Sequence, residues 1–412
     1  MSGPQTLILG AGHAGVQTAA ALRAKGHTAR LVLIDQQAAL PYERPPLSKD
    51  VLVKDVPSPL LRKEAFYAER GIELLRGVAT ESIDRAASVV RMADGRSIGY
   101  ERLVLATGSL PRALPVPGAG LEGVVTLRTE RDALRIRDGL RAGARLVVIG
   151  AGYVGLEVAA AAVSRGAEVT VLEREPRVLA RVASPEVSSR VRSLHESHGV
   201  RFLMECGVTA IEGDGRVRRV LTTQGRAIDA DLVVAGIGVV AADELARAAG
   251  LACDNGILVD EDCRTSDPSV HAIGDVARFH HPLLGAQVRL ECIANAMAQA
   301  DRVAEALLGR ERTPYDIPWF WSVQYDARLQ SVGFWQDGSD TVVRGAPAQG
   351  RFSVLHLRGP RLAAIETMGM GGDFIAARKL IRSGASLRRD SLADASIPLS
   401  SLALTEDTPC PN

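Results

Sequence analysis

The pattern Gly-x-Gly-x-x-Gly occurs twice in this chain, as Gly10-Ala-Gly12-His-Ala-Gly15 and as Gly150-Ala-Gly152-Tyr-Val-Gly155. Each copy follows an apolar strand-like run and opens a helix-like one: residues 6–9 and then 15–25 in the first copy, 145–149 and then 154–165 in the second. One copy alone is a weak signal. Two copies in strand–turn–helix–strand context predict two dinucleotide sites on one chain, and the ordinary reason for that pairing is to pass electrons from one to the other.

The repetition extends beyond the turns. An apolar run at 30–34 ends on Asp35, and its counterpart at 168–172 ends on Glu173. Such continuous runs predict parallel strands covered on both faces. Residues 103–108 and 232–238 echo each other further on, so the duplication is visible at both ends of each unit. A further strand at 270–275 is predicted to carry Asp275 at its carboxyl end, followed by a helix at 292–308. The segment 41–49 is rich in residues that stop helices and strands and is expected to run over the top of the sheet. From Pro318 the composition changes: Trp319, Trp321 and Trp335 all lie here, with strand-like runs at 351–357 and 361–367. The tryptophans either touch a partner or a bound ring, or bury one face of a strand.

The expected fold is therefore α/β, with two Rossmann-like dinucleotide-binding domains and an α+β C-terminal domain. The boundaries are 1–113 with 246–317, 114–245, and 318–412, and residues 405–412 read as a loose tail.

A dinucleotide pyrophosphate needs backbone amides facing it and no Cβ in the way, and the helix amino end adds favourable potential. Gly10, Gly12 and Gly15 form one cradle, and Gly150, Gly152, Tyr153, Val154 and Gly155 the other. Asp35 lies twenty residues past Gly15 and Glu173 eighteen past Gly155, where a carboxylate binds adenosine ribose hydroxyls. The alternative is that both merely end strands. Glu173 repels a 2′-phosphate and favours NADH, whereas the neighbouring Arg174 can receive that phosphate and weakens the preference.

Formal net charge is +1, which excludes a general attraction to nucleic acid or anionic lipid. Five cysteines form no Cys-x-x-Cys pair and fit a reducing cytoplasm. No charged-then-apolar leader precedes the first strand. The longest apolar stretch, 146–163, contains Glu157 and the cradle glycines and reads as a strand plus a buried helix, not a membrane span. The expectation is a cytoplasmic protein, monomeric or weakly dimeric, without metal. His195-Glu-Ser-His198 lacks zinc-protease spacing and reads as a solvated helix end, and His280-His281 as a loop. Cys292, at a helix start, is either a thiol of lowered pKa or a buried small residue.

In combination, the first glycine turn, Arg44-Pro-Pro-Leu-Ser-Lys49, Ala106-Thr-Gly108, the stretch from Gly150 to Glu157, Ala272-Ile-Gly-Asp275, Arg289-Leu-Glu291 and Pro318-Trp-Phe-Trp-Ser322 resemble the flavin-dependent ferredoxin reductases of bacterial cytochrome P450 and aromatic-ring dioxygenase systems, the putidaredoxin reductase type. The resemblance covers nearly the whole chain. It implies a glutathione-reductase-like fold with FAD in the first unit, NADH in the second, and a [2Fe-2S] ferredoxin as partner. It puts Ala14 and Asp35 on the adenosine side of FAD, Lys49 at the flavin ring, Arg128 and Asp275 on the ribityl and pyrophosphate part, Ile293 near the pyrimidine edge, and Glu157 facing the nicotinamide carboxamide. Without the motif, Lys49 reads as a solvated loop lysine and Glu157 as an acid that stabilises a helix start. Val323 and Ala294 depart from the family pattern, the first standing where relatives usually carry an acid. Two other classes stay open: an NADH oxidase or dehydrogenase with oxygen, a quinone or a small molecule as acceptor, and a redox-sensing binding flavoprotein resembling apoptosis-inducing factor. Disulfide or peroxide chemistry is disfavoured, because the segment 41–50 holds no cysteine.

Overall fold

The computed structural model describes residues 5–335 and 338–404, so the tail expected at 405–412 lies outside it. The chain divides into two compact units. One comprises the described parts of Met1–Arg44, Ser58–Leu110 and Val239–Asp316; the other comprises Pro45–Pro57, Pro111–Gly238 and the described parts of Ile317–Asn412.

In the first unit a five-stranded sheet runs in the order Val270–Ala272, Arg102–Leu105, Gln5–Leu9, Arg30–Asp35, Ile72–Arg76, parallel throughout. Its side chains divide by strand alternation. Leu7, Leu9, Val32 and Ile34 enter one core, while Ile8, Leu31, Leu33 and Val104 enter the core on the other face. That explains why these strands are apolar at successive positions. Alanines let two helices approach closely on the second face: Ala14 and Ala21 of helix His13–Ala24 share a core with Ala296, Ala300 and Ala304 of helix Ile293–Leu307. The strand expected at 270–275 ends at Ala272, and Gly274–Val276 is a 3-10 turn, because Gly274 takes a positive φ of 74°. Asp275 therefore sits in a turn past the strand. The histidines expected in a loop close the strand Ala277–His281 instead, and His281 is buried.

The second unit repeats the plan, with the order Arg201–Leu203, Glu168–Leu172, Arg145–Ile149, Leu232–Ala235, Val124–Thr126, again parallel. A three-stranded antiparallel sheet accompanies each parallel one: Thr80–Asp84, Val89–Met92 and Ser97–Gly99 in the first unit, Val208–Asp214, Arg216–Thr222 and Ala227–Asp229 in the second. The duplication is thus wider than the sequence motifs alone indicate.

Residues Pro45–Pro57 contain the 3-10 turn Pro45–Ser48, inside the stop-rich segment 41–49, and the helical turn Asp50–Val53 just after it. The Arg165 guanidinium fastens this segment, donating to the carbonyls of Leu52 (3.3 Å), Val53 (3.4 Å) and Leu140 (3.1 Å). Beyond Ile317 follows an antiparallel sheet ordered Trp319–Gln324, Ala327–Gly333, Arg361–Met368, Arg351–Arg358, Asp340–Ala346, with helix Gly371–Ser383. Phe374, Ala377 and Leu380 of that helix pack into a core with Val332, Leu355 and Ile365. Among the described residues no helix is long and apolar enough to cross a membrane.

Candidate functional site: two nucleotide cradles and a buried ion pair

The two glycine turns are built alike. A Cβ at Gly10 would lie 2.3 Å from the Ala106 carbonyl oxygen, and one at Gly15 would lie 1.9 Å from the oxygen of Gly10. In the second turn the corresponding clashes are 2.5 Å between Gly150 and Gly236 and 2.2 Å between Gly155 and Gly150. The outer glycines are therefore fixed by close packing of strand, turn and helix. Gly12 and Gly152 differ: a Cβ there meets nothing within 4 Å, so their backbone borders open space at a helix amino end. An open backbone of this kind admits a pyrophosphate against bare amides.

Beside each turn stands the predicted carboxylate. Asp35 accepts from the amides of Ala11 (3.0 Å) and Gln37 (2.9 Å), and Glu173 from those of Ala151 (2.6 Å) and Glu175 (2.9 Å). These bonds hold the acids at the cradle rim with lone pairs to spare for hydroxyl donors. Both turns thus fit an adenine dinucleotide. Sequence reasoning passed over His13 inside the first turn; burial and the Arg44 guanidinium lower it to a pKa of about 4, against the opposing pull of Asp275. Arg174 is exposed beside Glu173.

Lys49 is ion-paired and not simply solvated, and Glu157 is buried in the early turns of helix Tyr153–Ser164. Lys49 Nζ lies 2.6 Å from Glu157 Oε2, with side-chain exposures of 22% and 4%. The Ser48 hydroxyl donates to the same oxygen at 2.5 Å, while the Ser322 hydroxyl donates to Oε1 at 2.6 Å. Lys49 also reaches the Pro45 carbonyl at 3.3 Å. Both serines lie in segments that carry the resemblance, but their role was not legible there, because it lies in reaching Glu157 from 109 and 165 residues away. Tyr153 packs against Phe320 with ring centroids 4.5 Å apart and the planes tilted by 39°, and burial raises its phenol pKa. Val154, by contrast, is 46% exposed.

Asp275 accepts from the Ser109 hydroxyl at 2.8 Å, its carbonyl accepts from Arg289 at 3.0 Å, and the Gly274 amide donates to Gln299 at 2.7 Å. Ile293 opens the helix Ile293–Leu307 in the same unit, whereas Arg128 belongs to the second unit and precedes helix Glu130–Gly139. Cys292 is not a thiol of lowered pKa: burial pushes it up to about 11 despite backbone donors from the helix start. Cys263, wholly buried, is pushed up to about 12. Trp319 faces the C-terminal core, against Phe374 at 6.1 Å. The solvated helix end expected at His195 is also corrected: His195 is fully buried and bonded to Gln324 at 2.8 Å, because helix Pro185–Ser197 turns it towards strand Trp319–Gln324.

Two nucleotide cradles on one chain, with a buried Lys–Glu pair beside the second, define a two-dinucleotide oxidoreductase. Residues 4–300 match the pyridine nucleotide-disulphide oxidoreductase family and residues 319–403 the reductase C-terminal family. The chain belongs to the pyridine nucleotide-disulphide oxidoreductases and, within them, to the ferredoxin reductases of the putidaredoxin and rhodocoxin reductase type. It is 42% identical over 404 residues to the anthranilate 1,2-dioxygenase system ferredoxin–NAD(+) reductase component of Burkholderia cepacia, covering 97% of this chain and 99% of that one. Rhodocoxin reductase of Rhodococcus erythropolis is 41% identical over 406 residues, 98% of this chain and 95% of its own. The reductase in the crystal structure of the covalent putidaredoxin reductase–putidaredoxin complex matches with a TM-score of 0.94 at 40% identity, covering 98% of both chains. The enzyme class is thereby ferredoxin–NAD(P)+ reductase, and the family implies FAD and NAD(P)H.

Proposed function

We propose that this chain passes electrons from NADH through FAD, one at a time, to a [2Fe-2S] ferredoxin serving a cytochrome P450 or aromatic-ring oxygenase in the cytoplasm. The observation that carries the proposal is the pair of matched cradles, each with its open central glycine and its rim carboxylate. Flavin supplies the conversion of a two-electron hydride donor into single-electron steps. In this reading Gly12 and Asp35 hold the adenosine and pyrophosphate of FAD, with Ala14, Arg128, Asp275 and Ile293 along the rest of that nucleotide. Gly152, Tyr153, Val154 and Glu173 hold NADH. The Lys49–Glu157 pair would supply a fixed cation and a fixed carboxylate: Lys49 would favour the anionic reduced flavin ring, and Glu157 would orient the nicotinamide carboxamide.

Glu173 presents negative charge where a 2′-phosphate would sit, and this supports NADH over NADPH. Exposed Arg310 and Arg328 are the basic residues suited to steering an acidic partner. Arg312 suits that role less well, since its charge is taken up by Glu261 and by Asp262 at 3.5 Å. The test is steady-state NADH oxidation by the FAD-loaded enzyme with and without added [2Fe-2S] ferredoxin. Turnover should depend on ferredoxin; oxygen or a quinone supporting it equally fast contradicts the proposal.

A further inference from the structure

We propose that His195 is a positioning residue for the Lys49–Glu157 pair, acting through Gln324 and Ser322; the inference rests on the role given to that pair above. Four hydrogen bonds line up inside the second unit. The Tyr325 hydroxyl lies 3.2 Å from His195 Nδ1, and His195 Nε2 lies 2.8 Å from Gln324 Oε1. Gln324 Nε2 donates to Ser322 Oγ at 3.1 Å, and Ser322 Oγ donates to Glu157 Oε1 at 2.6 Å. Glu157, Ser322, Gln324 and His195 are all buried, so no water competes for these bonds.

The ion pair allows the chain a single polarity. A carboxylate only accepts, so Ser322 must donate to it and its own oxygen must accept from the Gln324 NH2. That turns Gln324 Oε1 towards His195, puts the imidazole proton on Nε2 and leaves Nδ1 to accept from Tyr325. Burial lowers His195 to a pKa of about 4, and the neutral ring is the species able to accept and donate at once. The other titratable groups facing this row are His198 at its outer end and Lys49 and Tyr153 at its inner end.

The outer end is held at a cost. Tyr325 adopts a φ of +55° in the two-residue turn after strand Trp319–Gln324, a conformation that disfavours a bulky side chain. Its ring is nevertheless stacked on His198, with centroids 3.7 Å apart and an interplanar angle of 13°. Strain of this kind concentrates where a side chain must be aimed. At the inner end, Lys49 and Ser48 both grip Oε2, whereas Oε1 is gripped by Ser322. The relay from His195 therefore fixes the rotation of the carboxylate about its last bond.

The experiment uses the full-length, FAD-loaded enzyme labelled with nitrogen-15 at histidine. His195 should show the neutral Nε2-protonated form at pH 7, and Ser322→Ala, which leaves Lys49 and Glu157 in place, should release it into a mixture of tautomers. In rapid-mixing assays His195→Asn, which cannot reach Gln324, should slow flavin reduction at saturating NADH by about tenfold with FAD content unchanged. His195→Gln places an NH2 where Nε2 stood and should restore most of the rate. An Nδ1-protonated ring, a tautomer indifferent to Ser322→Ala, or a His195→Asn enzyme as fast as its parent overturns the proposal. Lys49→Met judges the underlying reading separately: if it reduces flavin at the parent rate, the role of the pair falls, while the nitrogen spectra still decide the relay.

Discussion

Gly10 and Gly12 stand two residues apart and require glycine for different reasons. Gly10 has a φ of +102° and a carbonyl where its Cβ would be, so Gly10→Ala should destabilise the protein by on the order of 2 kcal/mol or more, seen as a lower urea midpoint. Gly12 has open space, so Gly12→Val should leave apoprotein stability nearly unchanged while abolishing retention of FAD, read from the flavin absorbance of purified protein. Lys49→Met should strand the Glu157 carboxylate, 4% exposed, at a cost of about 3–5 kcal/mol, measured by the same unfolding method. At this scale the cradle glycines, Asp35 and Glu173 were legible because turn chemistry and strand ends are local, whereas Lys49 and Glu157 came only with the family resemblance. The contacts of Ser48, Ser322, Gln324 and His195 were not legible. Their meaning is a contact across 109 to 165 residues, and an isolated serine or histidine carries no trace of that.

Among elements, the parallel strands were legible because burial on both faces leaves no polar alternation to misread. The short turns in Pro45–Pro57 were not. Their Pro-rich sequence resists regular structure, and what shapes them is the Arg165 guanidinium on their carbonyls. The C-terminal sheet shows the same dependence on a single cation. Arg344, 1% exposed, pairs with Asp373 at 2.9 Å and donates to the carbonyls of Leu392 (3.2 Å), Asp394 (2.6 Å) and Ile397. It thereby ties the segment after helix Gly371–Ser383 to strand Asp340–Ala346. Arg344→Met leaves Asp373 buried without its cation, and we expect a loss of about 3–5 kcal/mol and rapid proteolysis within 385–404.

For the whole molecule, pH acts through buried histidines in both units. Burial lowers His195 in the second unit and His271 in the first to about 4 from 6.5. Between those values the unfolded chain binds protons that the folded chain refuses, so stability is full above pH 6.5 and falls as pH drops towards 4, by roughly 3 kcal/mol for each histidine. Urea midpoints should follow that slope, and His271→Leu should flatten it. Nucleotide choice is a second property at this scale. Glu173→Ser, with Arg174 left in place, should raise kcat/KM for NADPH relative to NADH by on the order of tenfold or more.

Electron passage between two bound nucleotides is tested most directly by anaerobic titration of the FAD-loaded enzyme with NADH, followed by oxidised [2Fe-2S] ferredoxin. The account predicts that about one equivalent of NADH bleaches the flavin band and that each NADH then reduces about two ferredoxins. A chain that takes up no FAD, or a flavin band that stands unchanged under excess NADH, would contradict it.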